Sequence, residues 1–199
     1  ISEPLAIGVY AVKLAQMDLK GKNVGILGFG PIGMSVMLAA KHYGAESFYV
    51  TDKQDARLQI ARETGAGWTG NPDTEEVEKG ISAAEPLLLD IVFECCGQQE
   101  AIDNAVEVLK PGGKLMVIGI PEFERWTFAV DPCRRKELSI QNVRRQNHAV
   151  DETLELLASG AVDVSGMPTH RFSFENTKDA FDLVAGYKDG VMKAMIDFG

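Results

Sequence analysis

The stretch Val24-Gly25-Ile26-Leu27-Gly28-Phe29-Gly30-Pro31-Ile32-Gly33 is an apolar run that breaks into glycines and continues as an amphipathic segment. This order is typical of a strand, a tight turn and a helix. Its glycines fit G-x-G-x-x-G, in which the first permits the turn, the second lets a pyrophosphate approach the backbone, and the third lets helix and strand pack closely. Glycine-rich turns also occur where nothing binds, so the meaning of this one depends on the segments that follow.

The segments around this stretch predict two β-α-β-α-β halves. Residues 87–93 are almost continuously apolar, which is typical of a parallel strand covered on both faces. We therefore predict an α/β fold, a Rossmann doubly wound parallel six-stranded sheet with helices on both faces, in the order 3-2-1-4-5-6, plus a C-terminal extension. The predicted strands are 23–27, 47–51, 67–69, 87–93, 114–118 and 138–143, and the predicted helices are 3–15, 34–43, 53–64, 71–79, 98–109, 151–159 and 175–187.

Three further segments are predicted to be extended. Residues 124–130 alternate like a strand at a sheet edge, residues 168–174 are extended, and residues 192–198 alternate like a final strand. The tail after residue 160 exceeds what a minimal nucleotide-binding domain needs. We expect this tail to pack on a part of the protein other than the nucleotide-binding domain.

Composition excludes several classes of function. The chain has 199 residues, a net charge of −9 and 45% hydrophobic residues, so it reads as a globular protein that is a poor partner for nucleic acid. It contains no apolar run of membrane-spanning length and opens with no signal peptide, and a cytoplasmic location is the default expectation. Its three cysteines cannot make a disulfide framework, and no motif supplies a complete metal site.

Ligands of an open parallel sheet bind beyond the carboxyl ends of the strands, where the strand order reverses. Asp52 follows the second strand, 19 residues past Gly33, close to the spacing of an acid that binds the adenosine ribose hydroxyls. Its carboxylate would repel a 2′-phosphate, so NAD is favoured over NADP, although Lys53 and Arg57 leave NADP open. The candidate cofactor-binding residues are Gly28, Phe29, Gly30, Pro31, Ile32, Gly33, Asp52, Lys53, Arg57, Cys96, Gly97, Ile118, Gly119, Ile120, Val143 and Arg144.

Two other interpretations stay open at this point. Asp52 is also suited to capping a helix that begins at residue 53. Residues 109–115 would suit an S-adenosylmethionine methyltransferase, although such enzymes usually carry an acid before the first glycines, where this chain has Val24-Gly25-Ile26-Leu27.

Several motifs in order resemble one family. The chain resembles the zinc-dependent medium-chain alcohol and polyol dehydrogenases, most of all the sorbitol (L-iditol) dehydrogenases. The resemblance rests on Glu3-Pro4-Leu5, Gly28-Phe29-Gly30-Pro31-Ile32-Gly33, Thr51-Asp52 through Arg57-Leu58, Glu94-Cys95-Cys96-Gly97, Pro111-Gly112-Gly113 and Thr169-His170-Arg171-Phe172.

The resemblance implies hydride transfer between a secondary alcohol or polyol and NAD, with a catalytic zinc whose ligands lie in a preceding domain that this chain lacks. It places Glu3 near the zinc and Arg145 near the nicotinamide and substrate, as the two catalytic candidates. Residues 1–20 would lead in from the catalytic domain, 21–160 would be the dinucleotide-binding domain, and 161–199 would return to the catalytic domain. Such a piece is expected to bind NAD without turnover.

The resemblance further implies a homo-oligomer joined through an edge strand, for which 124–130 is the candidate seam. A different class of function remains as an alternative: a self-contained NAD-sensing module without catalysis. That module would have a start codon directly before Ile1.

Overall fold

Six parallel strands form one sheet in the order β3-β2-β1-β4-β5-β6 in the computed structural model, which describes all 199 residues. The predicted α/β class and strand order are confirmed. The strands are β1 (Asn23–Leu27), β2 (Ser47–Thr51), β3 (Trp68–Gly70), β4 (Leu89–Glu94), β5 (Leu109–Val117) and β6 (Ser139–Asn142).

Helices cover both faces of this sheet. One hydrophobic core contains Phe29, Phe48 and Phe93, and the other contains Leu27, Val92 and Leu115, so neighbouring residues of one strand point into opposite cores. The helices are α1 (Ser2–Leu14), α2 (Pro31–His42), α3 (Asp55–Thr64), α4 (Val77–Ala84), α5 (Gln99–Val108), α6 (Val130–Arg135) and α7 (Val150–Ala158). None of the helices is both long and apolar enough to cross a membrane.

The C-terminal extension forms its own small sheet. Strands β7 (Pro168–Ser173) and β8 (Lys193–Asp197) pair in parallel, joined by a 3-10 turn and helix α8 (Thr177–Ala185). Both predicted extended segments of the tail are therefore strands. At the other end of the chain, α1 packs on α2 and α7.

The predicted edge strand at 124–130 is wrong. This segment is irregular, and α6 begins at Val130. The side-chain amide of Gln99 donates to the Thr127 carbonyl at 2.8 Å and accepts from the Thr127 amide at 3.0 Å, so a side chain takes the place of a neighbouring strand. Trp126 and Phe128 pack against the core beneath α5. The proposed oligomer seam thus has no strand to carry it, and β6 forms that edge of the sheet.

Several predicted boundaries also shift, those of α4 and β5 most. Helix α4 begins at Val77 rather than near residue 71, because Asn71 holds a turn: its side-chain oxygen accepts from the Asp73 amide at 3.0 Å and its carbonyl accepts from the Glu75 amide at 3.0 Å. Strand β5 begins at Leu109 rather than at residue 114, and residues 110–113 interrupt its pairing with β4.

Candidate functional site

The glycine loop connects β1 to α2 with almost no spare space. Gly28 adopts a φ of +93°, in the region that favours glycine, and its amide donates to the Thr51 carbonyl at 2.9 Å. A Cβ on Gly28 would lie 2.7 Å from the Cβ of Cys96, and a Cβ on Gly33 would overlap the Gly28 carbonyl. The first and third glycines therefore serve the turn and the close packing that the motif predicts.

The start of α2 presents free amides at this loop. Pro31 is the first helical residue, and the Met34 amide donates to the Gly30 carbonyl at 3.0 Å. The amides of Ile32 and Gly33 donate no hydrogen bond to a backbone carbonyl, as expected for the first turn of a helix. An anion would be stabilised at this position. The Phe29 side chain is fully buried, so only its backbone faces the loop.

Asp52 lies directly after β2 and is 8% exposed. One carboxylate oxygen accepts from the Phe29 amide at 2.7 Å, and the other accepts from the Gln54 amide at 2.9 Å. The interpretation of Asp52 as a cap for a helix at residue 53 is wrong, because α3 begins at Asp55 with Gln54 in the cap position. Asp52 instead joins the second strand to the glycine loop.

Arg57 closes one side of the same region. Its Nη1 lies 3.9 Å from Asp52, and its Nε and Nη2 donate to the Val191 carbonyl at 3.1 and 2.8 Å. The Tyr187 ring lies over the guanidinium, 5.6 Å from centroid to Cζ. A residue of the first half is thereby held by the C-terminal extension.

Lys53 forms its ion pair with Asp73 and not with Asp52. Its ammonium lies 2.8 Å from Asp73, and both side chains are more than half exposed. The hydrogen bond to Asp73 raises the pKa of Lys53 above its ordinary value.

These residues surround a cleft of about 540 Å³ beyond the carboxyl ends of β1, β2 and β4. Six predicted residues line it: Gly28, Gly30, Asp52, Lys53, Arg57 and Cys96. Sequence reasoning missed several other lining residues, among them Gln54, Pro72, Gln98, Asn104 and Tyr187. Pro72 follows the end of β3 and could have been found by its place after a strand, whereas nothing in the sequence links Tyr187 to this cleft.

The loops after β4 and β5 meet at the second half of the sheet edge. A Cβ on Gly97 would lie 2.7 Å from the Ile120 carbonyl carbon, and a Cβ on Gly119 would lie 2.7 Å from the Gly97 Cα. Glu94, to which sequence reasoning assigned no role of its own, is fully buried at the base of both loops. Its carboxylate accepts from the amides of Cys96, Gly97 and Gly119.

Cys96 is a poor nucleophile in this setting. Desolvation and the neighbouring Glu94 carboxylate raise the pKa of the Cys96 thiol to about 12, and Cys95 is shifted upward for the same reasons. All three cysteines are free thiols.

The remaining predicted residues lie outside the cleft. Val143 is buried and donates to the Val117 carbonyl at 2.8 Å, whereas Arg144 and Arg145 are exposed and Arg145 has a φ of +59°. Ile118 and Gly119 follow β5 with Ile120, which is 90% exposed. Glu3 is exposed in the first turn of α1. The binding or catalytic roles of these residues stay predictions.

Zinc does not fit the side chains of this chain. No three His, Cys, Asp or Glu residues come together in a group that could hold a metal ion. We therefore assign no metal ligand to any residue here.

Comparison with known proteins connects this site to one family. The chain is 29% identical over 195 residues to sorbitol dehydrogenase of Bacillus subtilis, and 33% identical over 190 residues to L-idonate 5-dehydrogenase of Vitis vinifera. The alignments cover 98% and 92% of this chain but 55% and 51% of those proteins, so the chain spans about half the length of the curated relatives it matches.

A solved structure and a family profile agree with these relatives. The structure of a zinc-binding dehydrogenase from Sinorhizobium meliloti 1021, bound to NADP, is 26% identical with a TM-score of 0.87; the match covers 98% of this chain and 57% of that one. The profile of the family described as zinc-binding dehydrogenase matches residues 31–159, from the start of α2 to the end of α7. This chain belongs to the zinc-binding dehydrogenase family.

Proposed function

We propose that this chain binds NAD and supplies the cofactor side of a hydride transfer between NAD and a secondary alcohol or polyol. The observation that carries the proposal is the Asp52 carboxylate beside the glycine loop, in a cleft next to the point between β1 and β4 where strand order reverses. That point is where doubly wound sheets bind dinucleotides.

The cleft residues fit the adenosine and pyrophosphate parts of NAD. Each oxygen of Asp52 accepts one backbone amide, and an ionised carboxylate has about four acceptor positions, so acceptor capacity remains for ribose hydroxyls. The free amides of Ile32 and Gly33, at the positive end of α2, suit the pyrophosphate.

The charge at Asp52 favours NAD over NADP. A buried carboxylate beside the ribose 2′ position would repel a 2′-phosphate, and Arg57, the nearest cation, already donates two hydrogen bonds to Val191. The Sinorhizobium relative binds NADP, so the preference of this chain has to be measured directly.

When bound, the nicotinamide ring would accept a hydride in NAD and deliver one in NADH. The residues of this chain hold the adenosine end at Asp52, and the loops after β4 and β5 border the nicotinamide half of the cofactor. The Cys96 thiol stays protonated at neutral pH because its pKa is about 12, so it takes no part as a base. We further propose Arg145 as a residue near the substrate and Glu3 as a residue near the metal of the full enzyme.

The relatives suggest the substrate class. Two of them are named for sorbitol and L-idonate, both of which carry secondary hydroxyl groups. We propose a polyol or related secondary alcohol for the full enzyme, and we expect the 199 residues alone to bind cofactor without turnover. Self-association also stays a prediction, which size-exclusion chromatography with light scattering would test.

Isothermal titration of NAD and NADP into the protein tests the proposal. We expect NAD to bind more tightly than NADP, and Asp52→Ala to weaken NAD at least about tenfold, since hydrogen bonds to a charged group contribute roughly 1.5–3 kcal/mol. Asp151→Ala, at an exposed carboxylate in α7, is the matched control and should bind as the unchanged protein does. Absence of NAD binding, or an unchanged affinity in Asp52→Ala, would reject the proposal.

A further inference from the structure

Glu94 is a buried acid without a cationic partner. Its side chain is completely shielded from solvent at the carboxyl end of β4, and no Lys, Arg or His lies within ion-pair distance. Buried acids are costly unless hydrogen bonds or opposite charges compensate them. Such a residue therefore needs hydrogen-bond donors close to its carboxylate.

Three backbone amides donate these hydrogen bonds to Glu94. Oε1 accepts from the amides of Cys96 at 2.8 Å and Gly97 at 2.5 Å, and Oε2 accepts from the amide of Gly119 at 3.2 Å. The Glu94 carbonyl also accepts from the amides of Ile118 and Gly119, at 2.9 and 3.1 Å. One residue thus fixes the first turn of the loop after β4 and the first turn of the loop after β5.

The two loops leave no room for adjustment. A Cβ on Gly119 would lie 2.7 Å from Oε2 of Glu94, and a Cβ on Gly97 would lie 2.7 Å from the Ile120 carbonyl carbon. Both distances are below any normal contact, so both glycines are needed for the backbones to meet. The carboxylate and the glycines together form a rigid wall.

This wall lies in the second half of the sheet. Asp52 and the glycine loop belong to the first half, and a dinucleotide spans both halves. With the adenosine end at Asp52, the nicotinamide end extends toward the loops after β4 and β5. Rigid positioning there would affect the reacting half of the cofactor far more than the adenosine half.

We propose that Glu94 is a positioning residue that holds the loops after β4 and β5 against the nicotinamide half of the cofactor. The inference rests on the proposed function, because it assumes that NAD occupies the cleft. Glu94 acts through Gly97 and Gly119 and does not itself touch the cofactor.

The variant Glu94→Gln tests this role with almost no change in size. A glutamine has one acceptor oxygen, and its NH₂ group would face either the Gly119 amide or the amides of Cys96 and Gly97. Two donors would then oppose each other, and one loop must move. We expect NADH to bind about tenfold more weakly, whereas ADP-ribose, which lacks nicotinamide, should change by less than about twofold.

Asp90→Asn is the matched control. Asp90 is a second buried acid on β4, at the amino end of the strand and away from the cleft. Its variant should lower the melting temperature while leaving the ratio of NADH to ADP-ribose affinity unchanged. If Glu94 had a purely structural role, Glu94→Gln would likewise lower the melting temperature and leave the affinity ratio unchanged.

The outcomes separate the two proposals. No NADH binding by the unchanged protein rejects the proposed function itself. NADH binding with the same affinity ratio in Glu94→Gln and in the unchanged protein overturns the role of Glu94 alone.

A measurement on the unchanged protein covers the case in which Glu94→Gln does not fold. The amide resonances of Gly97 and Gly119 should shift on addition of NADH and shift much less with ADP-ribose. Equal shifts with both ligands would overturn the inference.

Discussion

An added methyl group meets different surroundings at Gly30 and Gly33. At Gly33 it would overlap the Gly28 carbonyl, whereas at Gly30 the nearest atom is Nη1 of Arg57, at 3.5 Å, and φ is −76°. The two glycines of one motif therefore have separable roles. Gly33 serves the packing of helix on strand, and Gly30 leaves space for a ligand.

This difference predicts opposite results for two alanine variants. Gly33→Ala should lower the free energy of unfolding by about 1–3 kcal/mol through overpacking. Gly30→Ala should leave stability nearly unchanged while weakening NADH, because its methyl group occupies the approach of the pyrophosphate. Urea unfolding and NADH titration of both variants check this, and equal effects on both quantities would contradict it.

Sequence reasoning assigns a binding role to Asp52 but names Glu94 only as part of a family motif. Asp52 was found because its spacing from Gly33 reflects the length of one helix and one strand. Glu94 follows five apolar or buried residues, yet its partners are backbone amides, which have no identity in the sequence. An acid that accepts hydrogen bonds from backbone amides can be predicted only where its spacing from a motif marks it, as at Asp52.

The irregular segment between β5 and α6 shows the same difficulty at the scale of an element. Trp126, Phe128 and Val130 alternate with a period of two, as a half-buried strand would. The Gln99 side chain satisfies the backbone of Thr127, so the segment needs no neighbouring strand. For the central elements, whose apolar runs are long, the predicted ends lie within a few residues of the observed ones.

Gln99→Ala should loosen this segment. Removal of the amide leaves both backbone groups of Thr127 without their partner, so we expect the Thr127 amide to exchange with solvent about tenfold faster. Exchange of the β4 amides should stay unchanged and serves as the internal reference. Unaltered exchange at Thr127 would show that other contacts hold the segment.

The amino end of β4 predicts a sensitivity to acid. Burial tends to raise the pKa of Asp90, but hydrogen bonds from Lys110 and the Asn23 amide and the charge of Lys22 outweigh it, so the pKa lies below its ordinary value of 3.8. A lowered pKa contributes stability that is present above the unfolded value and is lost as pH falls through the folded value. Lys22 and Lys110 then lose their ionised partner.

Asp90→Asn should therefore reduce the free energy of unfolding at pH 7 by about 1–3 kcal/mol. The difference from the unchanged protein should shrink as pH falls below 3.8, because Asp90 becomes protonated first in the unfolded state and then, at its lower pKa, in the folded state. Urea unfolding between pH 7 and pH 3 measures this. A difference that stays constant across that range would contradict the ionic origin of the effect.

Across the whole molecule, Arg57 joins the cofactor half of the sheet to the C-terminal extension through the Val191 carbonyl and the Tyr187 ring. The sequence predicted both units but not this contact, because the two partners are separated by 134 positions. Long-range contacts through a backbone carbonyl leave no pattern that periodicity can detect.

Arg57→Ala should release the extension while leaving the sheet intact. We expect the amides of residues 188–192 to exchange about tenfold faster, with little change in β1 and β2. Hydrogen exchange followed by mass spectrometry measures both regions together. Protection lost equally in the sheet would mean that Arg57 supports the whole fold instead.

Strand β4 carries Asp90 near one end and Glu94 at the other, and every residue from Leu89 to Glu94 is buried. A strand covered on both faces gains little from hydrophobic alternation in choosing its alignment, since sliding by one residue exchanges one apolar side chain for another. The two acids remove that ambiguity. Any slip would bury both carboxylates away from the groups that donate hydrogen bonds to them. The two acids therefore fix where the central strand stops along its neighbours.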